Sequence, residues 1–253
     1  MNALVRAELL KLRSTRILAG LLVATLGFVL LTVIFTVPSA GATNNALSLD
    51  DPALLARIVG DSFGVPQVTM LLLGVLAFTQ EIRYGTITST FLVEPRRTRA
   101  LVSKGLTLVL SSVVLTAGAL VVSIVATTTL IRTRGGNATF DAEVWQVVAA
   151  AFVVMALYGV IGLAVGALLR NQIVAVVASL IWMLAAERLL IDALPAIGRW
   201  TPGGATFGLL QLGPTVATSG TLLDAPIGGL LLVGYTAAAA ALALVVAPRR
   251  DVL

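Results

Sequence analysis

The chain has 253 residues, 58% of them hydrophobic and 11% charged, with a net charge of +5 and a mean hydropathy of +1.02. A soluble domain carries about 25% charged residues, so this chain cannot cover itself with polar surface in water and reads as an all-α integral membrane protein. It has no cysteine and no histidine, which excludes disulfides, zinc–cysteine sites, Ser-His-Asp triads and histidine metal sites.

Residues 1–16 place Leu4, Val5, Leu9 and Leu12 at helical spacing beside Arg6, Lys11 and Arg13. That pattern predicts a short N-terminal amphipathic helix lying in the membrane interface. The first span follows over 17–37 and ends before Pro38. Its apolar run exceeds the roughly 7–15 residues of a signal-peptide core, so it is read as retained despite the small-residue stretch Ala40-Gly41-Ala42. A polar loop with Asn44, Asn45, Asp50 and Asp51 leads to a second span over 58–80, its start interrupted by Asp61 and Pro66. The charged stretch from Glu81 to Lys104 comes next, and then a third span over 106–131. The fourth span covers 144–169, the turn Arg170-Asn171-Gln172 follows, and the fifth covers 173–190. A long loop rich in Pro and Gly runs to about residue 223 and precedes a sixth span over 225–247, stopped by Pro248-Arg249-Arg250. At about 20 residues per span, residues 1–253 read as one six-span transmembrane domain. With both termini inside, 12 of the 17 Lys and Arg fall inside, which the positive-inside rule favours.

Glu81 to Lys104 is the most informative stretch. Tyr84, Ile87, Phe91 and Leu92 space like one face of a short helix, Gly85 permits a turn or close approach, and Pro95 ends the helix. This describes an amphipathic piece suited to a groove on a cytoplasmic protein, or an ordinary basic loop. Neither lysine of the chain, Lys11 or Lys104, follows a glycine. A phosphate-binding loop of the Walker A type therefore cannot form, and the chain is not expected to be an ATPase.

Glu81, Gly85-Thr86, Pro95, Arg96, Arg97, Arg99 and Lys104, with the N-terminal segment from Ala7 to Arg13, resemble the ABC-2 family of ABC exporter permeases. The resemblance covers essentially the whole chain through short motifs. It implies a membrane subunit of a bacterial ABC exporter in the cytoplasmic membrane, two permease chains (homodimer or close heterodimer) working with two separate ATPase subunits. ATP and Mg would be bound by the partner; no cofactor is expected in this chain, nor a nucleic-acid partner. The segment between spans two and three would be the coupling helix, with Tyr84, Gly85, Thr86, Ile87 and Phe91 touching the ATPase and Glu81 and Arg83 as a charged hinge. Arg96, Arg97, Arg99 and Lys104 would anchor at anionic headgroups, a basic residue near such a surface being worth about 1 kcal/mol.

Two further groups stand out. Gly159, Gly162 and Gly166 form a small-residue face in span four, suited to close helix packing within the chain or between chains. Glu187, Arg188 and Asp192 lie near the outer end of span five, where ionisable groups are functional candidates. They are structural, or they serve a gate or substrate. An ATP-independent secondary transporter or a membrane scaffold remains the competing reading. An intramembrane aspartyl protease is not supported, because Ile58 stands where its motif before Gly60-Asp61 requires glycine.

Overall fold

The computed structural model describes all residues except 1, 15, 41–47, 89–91, 93, 95, 211–221 and 248–253, and of 2, 3, 13, 14 and 16–18 the backbone alone. The described residues are helical, with no strand among them. Helix α1 covers Asn2–Ser14 and α2 Arg16–Ser39. The second span is α3, Ala53–Asp61, and α4, Gly64–Arg83. Next come α5, Arg97–Thr133, and α6, Ala142–Leu169. Span five is α7, Gln172–Ile181, a π-helical segment Trp182–Ala186, and α8, Glu187–Ala193. Two short helices follow, α9, Pro195–Gly198, and α10, Pro202–Leu209, before the sixth span, α11, Ala225–Val246.

Six helical stretches are long and apolar enough to cross a membrane, which makes this a multi-pass membrane protein. Their ends differ from the hydropathy limits in instructive ways. Pro38 lies inside α2 rather than after it. Span two begins at Ala53, because Asp61 ends α3 and Pro66 sits in the first turn of α4, where a missing N–H leaves no helical hydrogen bond unmade. The α5 helix is 37 residues long, roughly 55 Å at about 1.5 Å per residue. It starts in the basic segment and runs well past the hydrocarbon thickness. The expected loop after span five contains α9 and α10, each opened by a proline, with the Thr201 hydroxyl accepting from the Gly204 N–H at 3.2 Å.

Span two sits at the centre, and α4 makes its most extensive packing with α6. Glycines set that distance. A Cβ on Gly166 would stand 2.7 Å from the Val75 carbonyl oxygen; Gly162 approaches the Leu71 backbone, and Gly74 the Gly159 backbone, more closely still. Hydroxyl bridges tie other spans to the same core: Thr25 donates to Thr69 at 2.8 Å, and Ser62 and Ser123 meet at 2.9 Å. Such interhelical bonds contribute about 0.6 kcal/mol each in a membrane protein. Arg170 adopts a left-handed φ of 54° between α6 and α7 and donates from Nη2 to the Ala247 carbonyl at 2.6 Å, which fastens the end of span six to that turn.

Candidate functional site

The basic end of span two is closed by a glycine-dependent turn. The Gly85 N–H donates to the Ile82 carbonyl at 3.2 Å and the Thr86 N–H to the Glu81 carbonyl at 2.9 Å. This is the paired 5→2 and 6→1 pattern of a Schellman cap, and Gly85 supplies its positive φ of 68°. Tyr84, Gly85 and Thr86 are consequently exposed on a short, hydrogen-bonded knuckle. Arg83, also exposed, lies over the Tyr84 ring at 5.8 Å and donates to the Gln172 side chain at 3.3 Å.

Immediately above the knuckle, four charged side chains from three helices converge. The Lys104 ammonium stands 2.7 Å from Glu8 Oε2 and 2.7 Å from Glu81 Oε1. Lys11 stands 2.8 Å from Glu8 Oε1 and 2.7 Å from Glu81 Oε1. Both lysines of the chain are thus shared between the same two glutamates, and the cluster is neutral. It pins α1, the end of α4 and the start of α5 together. The Lys104 side chain is 3% exposed and Lys11 49% exposed, so the two ammoniums do not contribute equally. Burial pushes the Glu8 carboxyl up, but the charges and hydrogen bonds of Lys104 and Lys11 outweigh it and hold Glu8 below its ordinary value. Burial also pushes Lys11 down, yet its hydrogen bonds to Glu8 and Glu81 and their charges hold it above its ordinary value.

The placements revise several expectations. Lys104 is no headgroup anchor, because its ammonium is buried against two carboxylates. Ile87 packs into the core at 4% exposure, whereas Tyr84 and Leu92, which its spacing puts on the same face, are exposed. Phe91 and Pro95 lie outside the described residues. Arg96 and Arg99 are exposed and Arg97 is half-buried at the start of α5. Glu8 and Lys11 were missing from the sequence-derived site. Their signals are that both lie in the Ala7–Arg13 segment that carries the resemblance, that Lys11 and Lys104 are the sole lysines, and that acidic residues are scarce on their side.

At the opposite end, Glu187 is buried beside the π-helical segment and accepts from the Gly203 N–H at 2.5 Å, at the start of α10. The Thr201 hydroxyl and the Trp182 indole also reach it. Arg188 is exposed and lies over the Phe207 ring at 5.6 Å. Asp192 is exposed. Gly159, Gly162 and Gly166 pack on Met70, Leu71 and Val75 of α4, so this face is filled from within the chain.

A family model described as "ABC-2 family transporter protein" matches residues 4–186. No curated protein matches the chain.

Proposed function

The chain belongs to the ABC-2 family of transporter proteins and is a permease component of an ABC transporter; from that premise we propose that it exports its substrate by coupling to a separate ATPase through the Tyr84–Thr86 knuckle. The observation that carries this reading is the ion cluster directly above the knuckle. Tyr84, Gly85 and Thr86 present an exposed, hydrogen-bonded surface, while Glu81 is locked by Lys11 and Lys104 to two other helices. A push on the knuckle is therefore delivered to α1, α4 and α5 together. Phe91 would extend the contact, and Arg96, Arg97 and Arg99 would hold the segment at anionic headgroups.

On this reading ATP and Mg are bound by the partner ATPase. A second permease chain completes the pathway, since one set of six spans does not readily enclose an alternating route. On this reading the knuckle end and both termini lie on the cytoplasmic side of a bacterial plasma membrane, which the excess of Lys and Arg at that end supports. A second reading, ATP-independent transport, draws on Glu187, an ionisable residue within a span, where such groups often serve transport.

Affinity capture of the tagged chain from its native membrane, in mild detergent, separates the two. Recovery of a stoichiometric ATPase that is lost in Gly85→Arg supports the coupling reading. Intact chain that brings down no ATPase, with transport persisting after ATP depletion, overturns it in favour of the second.

A further inference from the structure

Spans one, two and five, with α10, line a half-open cavity of about 350 Å³ at the level of Glu187. Pockets of this scale, about 300–1,000 Å³, hold small organic ligands. Asp61, Gln67, Glu187 and Arg188 face it, between apolar walls that include Val68 and Leu184. Gln67 and Glu187 stand roughly 23 Å from the basic ends of their own spans at about 1.5 Å per residue. The hydrocarbon core is about 30 Å thick, so Gln67 and Glu187 sit inside the leaflet opposite the knuckle, and Asp61, six residues before Gln67, sits at its outer edge. Ionisable side chains at such a depth are costly and mark ligand or ion paths.

The engagement of each group shows what the cavity lacks. Glu187 is held by the Gly203 N–H, Thr201 and Trp182. Gln67 hydrogen-bonds to Tyr158. Arg188 lies over Phe207. Asp61 feels the charges of Arg57 and Arg188, yet among the described residues its carboxylate makes no hydrogen bond and no ion pair within 4.0 Å. Two carboxylates and one guanidinium thus line the cavity, Arg57 acts on Asp61 from outside the lining, and among the described residues Asp61 has no hydrogen-bond donor. The π-helical segment Trp182–Ala186 forms the adjoining wall, a helical irregularity often found at ligand sites.

We propose that this cavity binds the ammonium group of an amphiphilic amine, with Asp61 as counter-ion and the apolar walls taking the alkyl body. Resting on the permease reading, it assigns lipophilic amines as the class of molecule carried.

The test uses the whole chain in phosphatidylcholine nanodiscs, a bilayer with no net charge to concentrate cations. Trp145→Phe and Trp200→Phe leave Trp182, which lines the neighbouring cavity with Glu187, as the reporter. Quenching is titrated with 11-bromoundecylammonium, 11-bromoundecanol and 11-bromoundecanoate. A charge-assisted hydrogen bond predicts saturable quenching by the amine at a Kd about tenfold below that of the alcohol. Asp61→Asn should erase that preference, while Asp61→Glu and Asp192→Asn should keep it. Equal quenching by amine and alcohol, tighter binding of the carboxylate, or an undiminished preference in Asp61→Asn would each overturn the proposal. No ATPase is present in the nanodisc, so a failed cavity leaves the capture experiment untouched, and a failed capture leaves amine binding measurable.

Discussion

Replacing Lys104 by Met is the sharpest test of the charged cluster. The side chain is 3% exposed and touches both carboxylates at 2.7 Å. Methionine fills similar volume, so the change isolates the charge. It leaves Glu8 and Glu81 sharing Lys11 alone, and the cluster goes from neutral to one excess negative charge. Breaking a buried pair costs about 3–5 kcal/mol. Because Lys11 still reaches both glutamates, the low end applies, about 3 kcal/mol. Lys11→Met removes the same formal charge at a position 49% exposed, where ion pairs contribute about 0–1 kcal/mol. The predicted signature is therefore an asymmetry between two lysines that bond to the same partners. Equilibrium unfolding in mixed micelles, followed by tryptophan fluorescence, reads it directly. The double variant Lys104→Met/Glu8→Gln restores neutrality and should recover at least about 1 kcal/mol, the coupling expected of residues in one network. If Lys104→Met lies within about 0.5 kcal/mol of the native protein, or Lys11→Met costs more, the cluster is not what holds α1 to the bundle.

Two other predictions follow from the same geometry. The depressed Glu8 carboxyl contributes stability that is complete above its unfolded value of 4.5 and is lost as pH falls through its lower folded value. The raised Lys11 contributes fully below 10.5 and is lost as pH rises above it. A pH series of micelle unfolding should accordingly show a plateau between these limits, and Glu8→Gln should flatten the acid limb; an unchanged acid limb would place the titration elsewhere. Gly166→Ile forces a side chain into the Val75 backbone 2.7 Å away and should cost more than about 3 kcal/mol, the upper range for overpacking. Gly20→Ala meets nothing within 4 Å and should stabilise by up to about 1 kcal/mol through helix propensity. Similar unfolding midpoints for the two variants would contradict the close approach of α4 and α6.

The number and order of the spans were legible because hydropathy is a local property, summed over one helix at a time. Helix ends were less so. Pro38 and Pro66 read as breaks, but Pro66 sits in a first turn, where its missing N–H costs nothing, and Pro38 stands one residue before the end of α2, where it interrupts only the last turn. The long loop after span five hid α9 and α10 because Pro195 and Pro202, read as breakers, open helices instead. The charged cluster was out of reach for a different reason. Lys11 and Glu81 are 70 residues apart and Lys104 and Glu8 are 96 apart, and no periodicity links them. Lys104 looked like its arginine neighbours, and only burial distinguishes it. The small-residue face of span four was visible, but its partner was not, since Gly74 is a single glycine in an otherwise ordinary apolar run.

The seam between α4 and α6 is a contact of backbone on backbone. A joint built from long side chains has slack: rotamers turn, and a displacement on one side is absorbed before it reaches the other. Here Gly74, Gly162 and Gly166 meet backbone and leave nothing to turn. The two helices form a stiff strut with the knuckle at one end and Gln67 and Tyr158 farther along it, joined by a hydrogen bond of their own. On the proposed coupling, motion entering at Glu81 would travel along that length with little slack to absorb it. It would arrive as a shift of the whole strut against spans one, five and six, the helices that carry the more weakly packed surfaces.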